Sequence, residues 1–449
     1  FSLVPTRYED DTHFFLGFAF YNWWDAAHRD PSNPTSPPGM GRFTGMEVWV
    51  QDAQANNQTS TTDEVVYGTA IVDLGEPVEV LDGGRSYLDL VGEAAPLPAP
   101  SLDQYDEADL TRLRTQYNEI VYPDEFGLTE GEYKTGRWRK LREGVDYIYD
   151  DRLGWLSLTG SLGPNDALAV AYQYRTSTEQ VVTVGDFQDP SQSGSATGNR
   201  TLFKLLRDNA PIATDAPWDL TMRNIYRVGG RSLNPQDFAV QVTYEQPGNT
   251  AQKTLPGVQI SDGLTLLQAL GLDRTNESGL PRPDDVIDFR PGYTIDAQNG
   301  RVIFPVREPF GRYLEGLLRN GRFVSGTELG VTVSGGYESA APDLVFPRLY
   351  ELKADVAERE LNKLRRYAIE GEFKSASQSV FNVGFGLVEG SVTVTSGGVT
   401  LVEGSDYIVN ETAGTVEIRN AIYLAPGQQI RVEVERNKLF SIGSKTLVG

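Results

Sequence analysis

Cysteine is absent from the 449 residues, which excludes disulfides, thiolate zinc sites, iron–sulfur clusters and cysteine nucleophiles. The absence fits either a reducing compartment or an exported protein that folds without disulfides. Histidine is nearly as scarce, with only His13 and His28. A three-histidine zinc site is therefore impossible, and a Ser-His-Asp triad would have to use one of the two. His13 lies between Asp10-Asp11-Thr12 and Phe14-Phe15-Leu16, and His28 ends Trp24-Asp25-Ala26-Ala27-His28. A cation near a helix C-terminus is ordinary, and neither residue adjoins a nucleophile motif, so both read as structural.

Positive charge is in short supply, with 40 Lys+Arg against 62 Asp+Glu and a net charge of −22. Phosphate backbones need clustered Lys and Arg, so nucleic acid is excluded as a partner and acidic membrane surfaces are disfavoured. No uninterrupted apolar run of about 18 residues exists, so no transmembrane helix is expected. The P-loop, the dinucleotide fingerprint, HExxH and GxSxG are all missing. Carboxylate chemistry such as glycoside hydrolysis survives these exclusions, but it depends on a spacing in three dimensions. The chain starts at Phe1 without an initiator Met or a signal-peptide core, and both ends read as cut ends of a soluble piece of something larger.

What is abundant is punctuation. There are 46 Gly and 25 Pro, which rules out a long helical bundle and favours many short elements. Loops are expected at residues 30–39 and 52–63, at 94–100 (AAPLPAP, of extended polyproline character) and at 188–199. Met46-Glu47-Val48-Trp49-Val50 alternates as a strand, and residues 65–74 are rich in β-branched side chains. Helices are expected at 106–120, at 263–270 behind a Ser261-Asp262 cap, and at 348–364 as the longest. The class is α+β and strand-dominated, with several small β-sandwich-like or mixed modules and a few short helices. Four modules are expected, at 1–100, 101–215, 216–345 and 346–449.

An internal repeat organises part of the chain. Residues 141–174 and 401–434 share Glu-Gly-x-Asp-Tyr, at Tyr147 and Tyr407, then a Gly seven positions later and an alternating strand. A shorter third copy is aligned by Tyr293 and Gly300. Strand, tight turn, strand is the mechanical reading, with Gly154, Gly414 and Gly300 supplying positive φ and the tyrosines covering an apolar face. Residues 132–175 and 388–436 are expected to superpose.

Three stretches invite a chemical reading. Asp273, Asn276, Asp284, Asp285 and Asp288 place five oxygen-bearing side chains within 16 residues. Calcium takes six to eight oxygens from such groups, so this loop is the candidate calcium site, with a solvated turn as the alternative. Arg137-Trp138-Arg139-Lys140-Leu141-Arg142 is the compact basic cluster, expected at a charged strand edge, with a docking patch for an acidic partner as the alternative. Tyr21-Asn22-Trp23-Trp24 is an aromatic cluster, expected in the core rather than on a sugar.

Several stretches, taken together and in order, resemble the SprA/Sov family, the giant outer-membrane translocon of the type 9 secretion system. They are His13-Phe14-Phe15-Leu16, Gly45-Met46-Glu47-Val48-Trp49-Val50, Ile71-Val72-Asp73-Leu74-Gly75-Glu76, Val184-Gly185-Asp186-Phe187 and Leu202-Phe203-Lys204-Leu205-Leu206. Residues 218–226 (WDLTMRNIY), 288–294 running on to 301–311, 387–407 and 446–449 complete the set. The resemblance implies a segment of a very large barrel protein. The chain lacks serial ten-residue strands with a lipid-facing row, so it is not the barrel wall itself. It is expected as a soluble region on the extracellular face, with a periplasmic position as runner-up. The resemblance also implies gliding-motility-associated secretion, no catalytic residues, and partners such as a PorV-like subunit, a plug protein and secreted cargo. Membrane association would come only through the missing barrel. A β-sandwich surface adhesin and a carboxylate-based carbohydrate-active enzyme are the rival classes.

Overall fold

A computed structural model describes residues 1–28, 41–52, 64–77, 105, 107–115, 126–176, 178–188, 200–230, 233–260, 263–321, 330–375, 380–383, 388, 390–410, 415–420, 423, 430–434 and 446–448. It is strand-dominated α+β, with several small sheets and few short helices. The chain forms two compact units. The first comprises residues 1–228, 239–296 and 301–371, and the second residues 229–238, 297–300 and 372–449. The expected module boundaries at 100, 215 and 345 all lie within the range of the first unit. The strands of its main sheet come from segments far apart in sequence, and the loops expected at 30–39, 52–63, 94–100 and 188–199 lie, but for residues 52 and 188, outside the described residues.

That sheet runs in the order Thr201–Arg207, Val65–Ile71, Tyr133–Lys140, Arg42–Gln51, Ala167–Arg175, Val181–Val184. Thr201–Arg207 pairs parallel with Val65–Ile71 and also antiparallel with Ala167–Arg175, so five strands close into a small barrel. Strand alternation separates inside from outside. Ala167, Ala169 and Ala171 join Trp49, Trp138, Ala70, Phe203 and Leu205 in one apolar cluster, while Leu168, Val170, Tyr172 and Tyr174 join another. Two tryptophans and a phenylalanine fill the small interior because alanines and Gly68 make room. A β-carbon on Gly68 would lie 2.6 Å from the Phe203 ring and 2.7 Å from the Thr201 carbonyl. Both faces of Arg42–Gln51 are therefore covered, and Met46 through Val50 are all buried.

Barrel closure corrects the basic-cluster expectation. Tyr133–Lys140 is no edge: it pairs with Val65–Ile71 along its length and with Arg42–Gln51 at its end. Trp138 is fully buried, Arg139 pairs with Asp52, and Lys140 reaches Glu47 at 2.7 Å and Glu64 at 3.3 Å. A three-stranded sheet, Tyr147–Asp150, Trp155–Leu158 and His13–Phe15, shares the outer core with the helix Tyr21–Ala27. Tyr21, Trp23 and Trp24 belong to that core, as expected.

Helical expectations fare unevenly. Glu107–Thr115 is helical and buries Leu113, while residues 116–125 lie outside the described set. The expected Ser261-Asp262 cap also lies outside it; the helix that follows is Leu266–Ala269, capped reciprocally by Thr265 and Gln268. The long helix expected at 348–364 is broken into Pro347–Leu349, Ala354–Glu360 and Asn362–Arg366. A longer regular helix is Arg312–Asn320, ended by Gly321 at φ 66°.

The repeat is clearer in space than in sequence. Tyr147 faces Leu158 across one hairpin and Tyr407 faces Ile418 across the other. Before each tyrosine the Glu-Gly-x-Asp loop closes identically. Asp146 accepts from the Arg142 N–H at 2.9 Å and Asp406 from the Val402 N–H at 2.9 Å. Gly144 and Gly404, at φ 73° and 86°, donate back to the carbonyls of Tyr147 and Tyr407. Only glycine takes that conformation without strain. The Tyr147 hydroxyl donates to the Met46 carbonyl, and that of Tyr407 to the Val392 carbonyl. Leu141 and Leu401 likewise bond the carbonyls of Val48 and Val394.

Arg42–Gln51 therefore holds in the first unit the place that Thr393–Ser396 holds in the second. The remaining strands agree: Val48 pairs with Val170 as Val394 pairs with Val432. His13–Phe15 lies on Trp155–Leu158 as Val380–Asn382 lies on Thr415–Ile418. The expected superposition of 132–175 on 388–436 thus holds for the hairpin and the last strand, but the first strand comes from elsewhere. In the second unit Ser396 pairs with Val399 across Gly397-Gly398. In the first, the equivalent pair is Val50 and Arg139, and residues 51–138 are carried in place of that two-residue turn.

The third copy needs a shift of two. Gly292 bonds the Ile295 carbonyl, as Gly144 bonds that of Tyr147, and Thr294 Oγ1 accepts from the Arg290 N–H as Asp146 does from Arg142. Ile295, fully buried, takes the tyrosine place, while Tyr293 is half-buried. Spacing to the next glycine misaligned this copy because its hairpin is shorter: Ile295 pairs with Val302.

Candidate functional site

Strand pairing assembles one arrangement that looks catalytic. His13 and Ser157 are direct cross-strand partners. His13 Nδ1 lies 2.7 Å from Ser157 Oγ, and Nε2 lies 3.0 Å from Glu9 Oε2. The residue types are those of a Ser-His-acid triad, but the two ring nitrogens are exchanged, since in a triad Nε2 faces the serine and Nδ1 the acid. The sequence holds no local signal for it, because Ser157 sits in an ordinary alternating strand. Two observations assign it a structural role. His13 is 1% exposed and Ser157 3%, so a substrate carbonyl cannot approach the hydroxyl. Glu9 is also held by Arg301 and by Arg227 at 2.6 Å, and Arg301 in turn meets Asp296 at 3.0 Å.

The protonation states follow from these neighbours. Burial opposes a charge on Glu9, but the hydrogen bond from His13 and the charges of Arg301 and Arg227 hold its carboxyl well below the usual range. Burial pushes His13 down, against the pull of Glu9, and Arg301 adds to the depression. A neutral imidazole thus ties two strands to a carboxylate clamped by two arginines. His28 is also enclosed: its Nδ1 is 2.6 Å from the Trp24 carbonyl, and its ring lies 4.2 Å from that of Trp24 and 5.3 Å from that of Tyr293.

The acidic loop is built differently from a calcium site. Asp273, fully buried, accepts from the N–H groups of Asp284 at 3.2 Å and Asp285 at 2.7 Å, and from Gln268 at 3.1 Å. Asp288 accepts from the N–H groups of Arg274 at 2.9 Å and Thr275 at 3.2 Å, and from the Thr275 hydroxyl. Asn276 accepts from Ser278 and Leu280, Asp284 from Glu277 and Val286, and Asp285 from Thr265 and Gln268. The oxygens expected to face a cation face loop N–H groups and neighbouring side-chain donors instead. Among the described residues no three His, Asp or Glu side chains gather as metal ligands. Asp273, Asn276, Asp284, Asp285 and Asp288, the residues of the calcium expectation, form a hydrogen-bonded staple here.

Surface depressions and buried ion pairs complete the first unit. An apolar groove of about 350 Å³ is lined by Leu255, Val258, Ile260, Leu266, Leu314 and Leu317. A polar one of about 660 Å³ is lined by Glu130, Lys134, Asp208, Asn209 and Asp215. Neither brings a histidine into its lining. Lys204 and Glu76 form an ion pair at 2.5 Å with side chains 0% and 1% exposed. Arg207 pairs with Asp11 at 2.7 Å and Arg307 with Asp25 at 3.1 Å. No protein-family model matches the chain, and no curated protein matches it.

Proposed function

We propose that the chain is a non-catalytic module of an outer-membrane protein translocon of the SprA/Sov kind, standing on the extracellular side and serving type 9 secretion. One observation carries the reading: the stretches between 13 and 311 that resemble that family pack against one another within the first unit. Residues 218–226 run beside 301–311, with Ile225 paired to Ile303 and the Asn224 amide donating to the Phe304 carbonyl at 2.7 Å. His13 pairs with Ser157, and the Met222 N–H donates to its carbonyl. Leu202 through Leu206 and Met46 through Val50 form the walls of the small barrel. Resemblance at positions that must change together to keep a core is weightier than resemblance scattered over a surface. The ionisable groups buried in that core serve as ties between strands, which supports a scaffold rather than an enzyme.

The lack of cysteine supplies the experiment. Val145, 49% exposed, and Val402, 61% exposed, can each carry a single introduced thiol. In intact cells making the full-length protein, a membrane-impermeant maleimide should label Val145→Cys and Val402→Cys, and in-frame removal of the chain should stop cargo secretion. Labelling only after the outer membrane is opened would favour the periplasmic side. Secretion unchanged by removal, or polysaccharide hydrolysis lost on changing one carboxylate, would overturn the proposal.

A further inference from the structure

Inside the first unit, where residues 218–226 meet 301–311, a cavity of about 20 Å³ is lined by Tyr21, Asp219, Arg223, Asn224, Arg307 and Glu308 among others. We infer that it is a binding site for one water molecule that joins Arg223 to Asn224.

Volume, unmet hydrogen bonds and charge balance each lead there. A cavity needs roughly 10–15 Å³ of such space to hold one water, so this one holds a single molecule and little more. The two buried neighbours that line it leave one donor and one acceptor unmatched by protein groups. Arg223 is 6% exposed, and its Nη atoms donate to the carbonyls of Thr221 and Trp218 while Nε has no partner. Asn224 is 1% exposed; its Nδ2 donates to the Phe304 carbonyl, which fixes the amide orientation and leaves Oδ1 without a partner. A buried donor or acceptor left unmatched is costly, so the pair favours a ligand that can serve both.

Charge selects which ligand. A monatomic anion would be welcomed by Arg223 but would meet the Asn224 oxygen and the carboxyl groups of Asp219 and Glu308. A cation would meet two guanidinium groups. Water accepts from Arg223 Nε and donates to Asn224 Oδ1, and it is the one common small molecule that satisfies both at neutral charge. The Arg307 guanidinium, also in the lining, is engaged by Asp25 at 3.1 Å and lies 4.3 Å over the Tyr21 ring.

Crystals of the chain grown with and without sodium bromide, together with oxygen-17 relaxation dispersion in solution, test this. The expected result is one water peak within 3.5 Å of both Arg223 Nε and Asn224 Oδ1, with no anomalous bromide signal. Asn224→Leu should lose the peak and reduce the number of long-lived internal waters by one. Arg223→Met should give the same loss if the leucine variant does not fold. A bromide peak in the cavity would replace water with an anion. A dry cavity, or Nε and Oδ1 bonded directly to protein groups, would refute the site.

Discussion

Tyr147 and Tyr407 hold the same place in two copies of one β unit, each sending its hydroxyl to a carbonyl of the strand that covers it. For Tyr407 that strand is close by in sequence, since the acceptor is Val392; for Tyr147 it is remote, since the acceptor is Met46. Both rings are buried, at 3% and 2% exposure. The shared geometry fixes the Glu-Gly-x-Asp-Tyr sequence in chemical terms: aspartate closes the loop, glycine permits its backbone, and tyrosine ties it down.

Removing either hydroxyl should therefore cost similar amounts. Tyr147→Phe and Tyr407→Phe each leave a buried carbonyl without its donor, so each should lose about 1–2 kcal/mol of stability. Urea unfolding of the two variants, followed by probes in each unit, checks this. A loss at one position and none at the other would break the equivalence.

Insertion tolerance follows from the same comparison. The turn at Gly397-Gly398 corresponds to the point where the first unit carries residues 51–138 between paired Val50 and Arg139. A small folded domain with close termini, placed between Gly397 and Gly398, should leave the rest of the chain folded, with its unfolding free energy lowered by no more than about 0.6 kcal/mol per doubling of loop length. The same domain placed between Val416 and Glu417, inside a paired strand, should abolish folding. Soluble yield and unfolding midpoints compare the two.

How far these features were legible in the sequence depends on how local they are. The two complete hairpins were readable because loop, glycine and tyrosine lie within a few residues of one another. The alternation along Ala167–Arg175 was readable as a strand, but not as a barrel wall: closure requires Thr201–Arg207 to pair with two strands at once, which no local period encodes. The Ser157–His13–Glu9 tie was invisible for the same reason, since a cross-strand register brings it together. The acidic loop misled in the opposite way. Its carboxylates are clustered in sequence, but composition does not say whether the oxygens face a cation or the loop's own N–H groups.

That loop yields a two-part expectation. Unfolding midpoints should be the same in calcium and in chelator, because the oxygens of Asp273 and Asp288 are already occupied by backbone donors. Burial pushes Asp273 up to about 6, against the hydrogen bonds from Gln268, Asp284 and Asp285. A carboxyl raised above its unfolded value near 3.9 favours folding most below that pH, and the advantage is lost as pH rises through about 6. The stability of wild type relative to Asp273→Asn should therefore fall between about pH 4 and pH 6. A calcium-dependent midpoint, or a difference that is flat across that window, would contradict the staple.

His28 should act with the opposite slope. Burial pushes it down to about 4, helped by the charge of Arg274 and opposed by its hydrogen bond to the Trp24 carbonyl. Between its unfolded value near 6.5 and about 4 the unfolded chain binds the extra proton, so stability is lost as pH falls through that window. A depression from about 6.5 to about 4 on a fully enclosed ring corresponds to on the order of 3 kcal/mol. His28→Gln should cost stability at pH 7 but remove much of the slope between pH 6.5 and 4, which denaturant titrations at stepped pH would read.

Lys204 and Glu76 give the sharpest test of how the core tolerates charge. Their side chains are 0% and 1% exposed, 2.5 Å apart, and Lys204 also donates to the Val72 carbonyl. Glu76 does more than balance the lysine: its two oxygens accept from the Phe18 N–H at 2.9 Å and the Ala19 N–H at 3.1 Å, at the start of the turn Phe18–Phe20 that leads into Tyr21–Ala27. Lys204→Met leaves that carboxylate buried without its cation and should cost about 3–5 kcal/mol. Adding Glu76→Gln removes the stranded charge while keeping an oxygen for one of the two N–H donors. The double variant should therefore be more stable than Lys204→Met alone by at least about 1 kcal/mol, a coupling that a double-mutant cycle measures directly. If the two losses simply add, the pair contributes nothing as a pair, and the two N–H contacts alone explain why a glutamate stands at position 76.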